Sequence, residues 1–201
     1  ISVGEDGATH QCCEDVALMR TIPGMTVIVP SDDVEAKAVV KAAAELDGPV
    51  YMRFGRLAVP VINDTADYKF EIGKGTVLRE GTDVTIIANG LCVGESLEAA
   101  EKLAADGINA KVINMATVKP LDDELVITAA KETGKVVTVE EHSVIGGLGS
   151  AVCDVLSEKA PTPVLKLGVQ DVFGHSGPAV ELIKEFGLDS EGIYKSVKAF
   201  V

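Results

Sequence analysis

The sequence predicts an α/β protein built on mostly parallel sheets, and three observations carry that expectation. Strand-sized apolar runs alternate with helix-period segments along the chain, the pattern of βα units. Hydrophobic residues fill 47% of the 201 positions but aromatics only 4%, which suits Ala/Val/Ile/Leu-rich cores between sheet and helices. The longest apolar runs are strand-sized and no cleavable leader is evident, so neither a membrane span nor secretion is indicated. This length suits one large or two small domains.

The elements follow in order. A helix is expected from near Gln11 to Arg20, with Thr9 as a candidate N-cap, before the breaker Pro23-Gly24. Thr26 to Val29 reads as a buried strand ended by Pro30. Ser31 is the expected cap of the next helix, with Asp32 and Asp33 in its first turn and Val39, Ala42, Ala43 and Leu46 at helical spacing. Asp47-Gly48-Pro49 stops it, and Val50 to Arg53 forms a strand. Its C-terminal end delivers Arg53 and Arg56 to the edge where parallel α/β sheets bind ligands. The hydrophobic period breaks around Val61 to Tyr68, so a linker at residues 63–71 is expected between units at 1–62 and 72–201.

The second unit reads as a compact, mostly parallel five-stranded sheet, with strands at 75–78, 84–88, 110–114, 136–140 and 164–168. One helix, from about Val93 to Ala105, places Val93, Leu97, Ala100 and Ala104 on one face and is closed by Gly107. Another opens at Pro120, carries Asp122 and Asp123 in its first turn and ends at Gly134.

Eighteen basic against 31 acidic residues leave a formal charge of −13, with no local basic patch, which argues against nucleic-acid or anionic-membrane partners. The four cysteines, Cys12, Cys13, Cys92 and Cys153, lack metal-ligand spacing and are expected to be reduced, with the cytoplasm as compartment.

The most informative segment is Gly4-Glu5-Asp6-Gly7-Ala8-Thr9-His10-Gln11. Its glycines permit tight or left-handed backbone, which brings carboxylates and amides close to a ligand. Asp6 and His10 can each relay a proton, or can merely cap and steady the following helix. Arg56 offers a planar fork of donors matched to phosphate oxygens, and Arg53 is either a second such group or half of an ion pair. The turn Gly146-Gly147-Leu148-Gly149-Ser150 lacks full dinucleotide spacing and reads as tight strand-to-helix packing rather than a phosphate cradle. His175 sits in loop sequence beside Ser176, a candidate helix cap.

The string GEDGATHQ, continued by Glu14-Asp15-Val16-Ala17-Leu18-Met19-Arg20, closely resembles transketolases and their thiamine-diphosphate-dependent relatives. The resemblance runs on through Val29-Pro30-Ser31-Asp32, Pro49 to Arg56, Val118-Lys119-Pro120-Leu121-Asp122 and Glu140 to Ser150. It implies that residues 1–62 are the C-terminal portion of a pyrimidine-binding domain and 72–201 the family's C-terminal domain. By that resemblance Arg56 binds the sugar phosphate, Asp6 meets a substrate hydroxyl near the reacting carbon, and His10 positions or protonates sugar oxygens. The implied activity is transfer of a two-carbon ketol unit between sugar phosphates, using thiamine diphosphate and Mg in the complete enzyme. Neither is expected to be bound by this chain alone, because the diphosphate motif and the catalytic glutamate belong to a missing half. A diphosphate-binding N-terminal half or subunit and homodimerisation are therefore expected, as is a longer parent, since the chain starts at Ile1 partway into one domain. Glu140, Glu141 and His142 are expected at a domain contact. Deoxyxylulose-phosphate synthase, a 2-oxo acid dehydrogenase β-type subunit and a non-catalytic assembly module remain as alternatives.

Overall fold

The computed structural model describes residues 1–64 and 68–201. The expected linker at 63–71 falls partly outside the described residues. Two sheets organise the chain, one of three strands and one of five.

The N-terminal part folds as a 3₁₀ turn at Gly4–Asp6, then α1 (Asp15–Thr21), β1 (Thr26–Ile28), α2 (Asp33–Glu45) and β2 (Val50–Met52). Helix α1 starts four residues later than the expected Gln11, for a backbone reason. The Cys12 carbonyl accepts from Arg53 Nη2 at 3.2 Å and the Cys13 carbonyl from Ser143 N at 2.8 Å, while Ala17 N donates to His142 Nε2 at 3.3 Å. Groups that would close a first helical turn are spent on tertiary partners. Thr9 does not cap α1; its hydroxyl lies 3.0 Å from His10 Nδ1.

The cap of α2 is Asp32, not Ser31. Asp32 Oδ1 accepts from Glu35 N at 2.8 Å, and Glu35 Oε2 reaches back to Ser31 N and Oγ at 2.6 and 2.7 Å, a reciprocal capping arrangement. Asp32 Oδ2 also accepts from the amides of Ile62 and Asn63, both at 2.7 Å, tying the following segment to the helix start. Along α2 Val39 is fully buried, whereas Leu46 is exposed, so the expected apolar face is only partly covered.

The second sheet contains β3 (Thr76–Arg79), β4 (Val84–Ala88), β5 (Ala110–Asn114), β7 (Val136–Ser143) and β8 (Val164–Val169). Three parallel pairings join β5, β4, β7 and β8, and β3 runs antiparallel on the edge against β5. Helices α3 (Cys92–Ala105), α4 (Asp123–Thr133), α5 (Leu148–Lys159), α6 (Ala179–Glu185) and α7 (Ser190–Phe200) complete the chain. The buried face of α3 is Cys92, Val93, Ser96, Ala99, Ala100 and Leu103, rotated from the expected face toward α7 and the sheet. Asp122, rather than Pro120, sets the start of α4, and Gly134 closes it in the left-handed conformation.

One strand had no sequence signal. Strand β6 (Thr117–Lys119) leaves the second sheet after β5 and pairs antiparallel with β1, Ile28 opposite Thr117, so one chain stitches both sheets. The core follows suit: Val27 and Val29 share an apolar cluster with Ile87, Ile113, Met115 and Val118. Each such side chain contributes about 1.5–3 kcal/mol by burial. Among the described residues no helix is long and apolar enough to cross a membrane.

Candidate functional site

In the second sheet β4 connects to β5 on one side, while β7 pairs with β4 on the other. The strand order therefore reverses between β4 and β7, and ligands of open α/β sheets enter the crevice beyond such strand ends. Here the N-terminal residues of the chain itself fill it. Ile1 is buried in the cluster that holds Ala88, Cys92 and Val139, and Ser2 N donates to Glu141 Oε1 at 2.6 Å.

Glu141 is the hinge of a buried polar array. Arg53, at the end of β2, lies 3.6 Å from Glu141 Oε2 through Nη1 and donates to Asp15 Oδ2 through Nε at 3.0 Å. Asp15 Oδ2 also accepts from Tyr51 Oη at 2.6 Å. Burial alone would raise the Glu141 carboxyl, but the Arg53 guanidinium and the Ser2 amide hold it below its ordinary value. Burial and the Asp15 carboxylate push the Tyr51 phenol up, so it stays a donor. Arg53 is thus the ion-pair alternative left open by the sequence, with its side chain only 13% exposed.

His142 and Glu140 complete the contact between the two sheets. His142 Nε2 accepts from Ala17 N, which assigns the proton to Nδ1, facing the Ser143 carbonyl at 2.7 Å. Glu140 does what an anion would do at the head of α5: its Oε2 and Oε1 accept from Leu148 N and Gly149 N at 2.7 and 2.8 Å. Burial raises its carboxyl. The glycine turn accordingly packs strand against helix. A Cβ on Gly147 would lie 2.0 Å from Glu140 Oε2.

Next to this array a cleft of about 430 Å³ opens, lined by His10, Cys12, Tyr51, Arg53, Gly55 and Arg56. The backbone of Arg56 is fixed from below, its N–H donating to Ser2 Oγ at 3.2 Å, while its side chain remains exposed. Arg56 also borders a neighbouring recess of about 450 Å³ with Glu5, Asp6 and Ala179. His10 and Asp6 therefore both lie near Arg56 but in separate recesses. Gly4 and Gly7 have φ of +65° and +76°, and a Cβ on Gly7 would lie 2.3 Å from Ser176 Oγ, so the turn carrying Asp6 needs both the left-handed backbone and the missing side chain.

His175 stands apart from the cleft, paired with Glu185 Oε1 at 2.9 Å, a contact that raises its pKa. Its carbonyl accepts from Gln11 Nε2 at 2.9 Å, which anchors the residue after His10. The four cysteines are unpaired thiols, Cys12 exposed and Cys92 buried. Ser2, Asp15, Gln11 and Tyr51, all used to build the site, carried no sequence signal of that use; the run Glu140-Glu141-His142 at a strand end did.

Comparison with known proteins places this geometry. Residues 1–61 match the family described as transketolase, pyrimidine binding domain, and residues 73–193 match transketolase, C-terminal domain. A provisionally named transketolase C-terminal section of Methanocaldococcus jannaschii is 49% identical over 98% of this chain. A 6-deoxy-6-sulfo-D-fructose transketolase subunit of a Clostridium strain is 47% identical over 95% of it. A 1-deoxy-D-xylulose-5-phosphate synthase of Geobacter sulfurreducens is 41% identical over 99% of this chain and 32% of its own length. The chain spans 62% and 59% of the first two relatives. Among solved structures, one described as a split gene transketolase, inactive beta4 tetramer, superposes with a TM-score of 0.89 at 52% identity over 96% of this chain and 62% of the other.

Proposed function

Because this chain belongs to the transketolase family of thiamine-diphosphate-dependent enzymes, we propose that it is the substrate-gripping portion of a two-chain transketolase. The observation that carries the proposal is the end of β2, where a buried Arg53 is locked in place while Arg56, three residues on, stays exposed in a cleft shared with His10.

Arg56 binds the distal phosphate of a sugar, since a planar guanidinium fork matches phosphate oxygens. His10, at the cleft wall, orients the sugar hydroxyls and holds a proton for their oxygens. Asp6, in the adjoining recess, accepts from a hydroxyl of a sugar that reaches across Arg56. Thiamine diphosphate, when bound in the assembled enzyme, supplies the electron sink for ketol transfer. The glycine turn before α5 does not fit its diphosphate. The amides at the head of α5 are taken by Glu140, and no cluster of three His, Cys, Asp or Glu gathers among the described residues. We assign those groups to a diphosphate-binding partner chain, in the cytoplasm, and self-association of this chain is supported by the description of the split-gene relative as a tetramer.

A second reading, synthesis of deoxyxylulose phosphate, is favoured by 41% identity to such a synthase. The test is to mix the chain in its complete form with a diphosphate-binding half and supply either ketose and aldose phosphates or pyruvate and an aldose phosphate. Ketol transfer without pyruvate decarboxylation supports the proposal. Pyruvate decarboxylation favours the second reading, and no dependence on Asp6, His10 or Arg56 would leave an assembly role.

A further inference from the structure

We propose that Arg53 is a positioning residue that sets the spacing between the Arg56 anion clamp and His10, and so the reach of the site toward an anionic sugar. The inference rests on the reading of Arg56 given above and extends it to a residue that does not itself meet the ligand.

The three nitrogens of one guanidinium serve three partners on two pieces of chain, Cys12 and Asp15 on one and Glu141 on the other. Nε donates to Asp15 Oδ2 at 3.0 Å, Nη2 donates to the Cys12 carbonyl at 3.2 Å, and Nη1 faces Glu141 Oε2 at 3.6 Å. The Cys12 contact fixes the backbone two residues after His10. The Glu141 contact leads back to Arg56 by a second route: Glu141 Oε1 accepts from Ser2 N, and Ser2 Oγ accepts from Arg56 N. Arg53 therefore holds the His10 arm directly and the Arg56 arm through Glu141 and Ser2, besides standing three residues before Arg56 in the chain. Only a rigid planar fork spans these partners together; a lysine keeps the charge beside Asp15 and Glu141 but concentrates its donors at one atom. Displacement of an anchor by about 1 Å costs on the order of a hundredfold in rate.

Arg53→Lys tests this, because it preserves the buried charge and lets the fold persist, as a thermal melt checks. In the complete enzyme with its diphosphate-binding half, kcat/KM is compared for phosphorylated and unphosphorylated acceptors in wild type, Arg53→Lys, Arg56→Ala and the double variant. The expected result is a loss of preference for the phosphorylated acceptor of about tenfold or more in Arg53→Lys, carried by KM, with no further loss when it is added to Arg56→Ala. Equal losses on both acceptors, or losses that multiply in the double variant, overturn it.

A second readout needs no turnover. Inorganic phosphate should protect Arg56 from phenylglyoxal, read by peptide mass spectrometry, and Arg53→Lys should raise the half-protecting concentration about tenfold. An unchanged concentration, or no protection in the wild type, overturns the inference. Protection that behaves as expected in an enzyme without ketol transfer sinks the functional reading alone.

Discussion

Glu141 shows how much one side chain can organise. Its carboxylate accepts from Ser2 N and faces Arg53, and it is buried, so removing its charge leaves the guanidinium without one of its partners. Breaking a buried pair costs about 3–5 kcal/mol, so Glu141→Gln should lose on that order at neutral pH in a denaturant titration. The sign of the pH dependence follows from the direction of its shift. A carboxyl held below its ordinary value of 4.5 in the folded state contributes stability fully above that value and loses it as pH falls through the folded value. The gap between wild type and Glu141→Gln should therefore be widest near pH 7 and close in acid; a gap constant with pH would contradict the assignment. His10 is the complementary case, exposed in the cleft with its ring Nδ1 3.0 Å from the Thr9 hydroxyl. His10→Ala should leave the melting temperature in place and lower turnover by about a hundredfold. Unchanged turnover would return it to a structural role in the turn.

At the level of elements, what could be read in advance was what local chemistry decides. The apolar strands, the breaker after α2 and the left-handed Gly134 behind α4 follow from residues within one turn of one another. The misplaced boundaries have tertiary causes. Residues 11–14 look helical, yet the Cys12 and Cys13 carbonyls are claimed by Arg53 and Ser143, partners 41 and 130 positions away. Strand β6 follows β5 after only Met115 and Ala116, with no breaker to mark it off, and forms where β1 offers an edge. In the site, Arg56 and His10 could be singled out by residue type, but Ser2 and Tyr51 acquire their roles only from position. The glycine turn before α5 tests this view of packing over ligand binding. Gly147→Ala would drive a methyl against Glu140 Oε2 at 2.0 Å, so it should destabilise by about 1–3 kcal/mol in thermal melts. Full retention of stability would mean the turn has room for a ligand instead.

Across the described residues, the two sheets are bound by strand β6, by shared apolar packing and by buried polar contacts, and the cleft lies beside the array centred on Glu141. Such an arrangement places the rigid groups, Arg53, Glu141 and His142, behind the exposed ones that would meet a ligand. In the function proposed above, this scaffold presents Arg56 as a grip for the anionic end of a sugar. The most direct measurement is the ratio of kcat/KM for phosphorylated over unphosphorylated acceptors in the assembled enzyme, before and after Arg56→Ala. Loss of a charge-assisted pair of about 1.5–3 kcal/mol predicts a fall in that ratio of roughly 10- to 100-fold. A ratio left unchanged, with both acceptors affected alike, would contradict it.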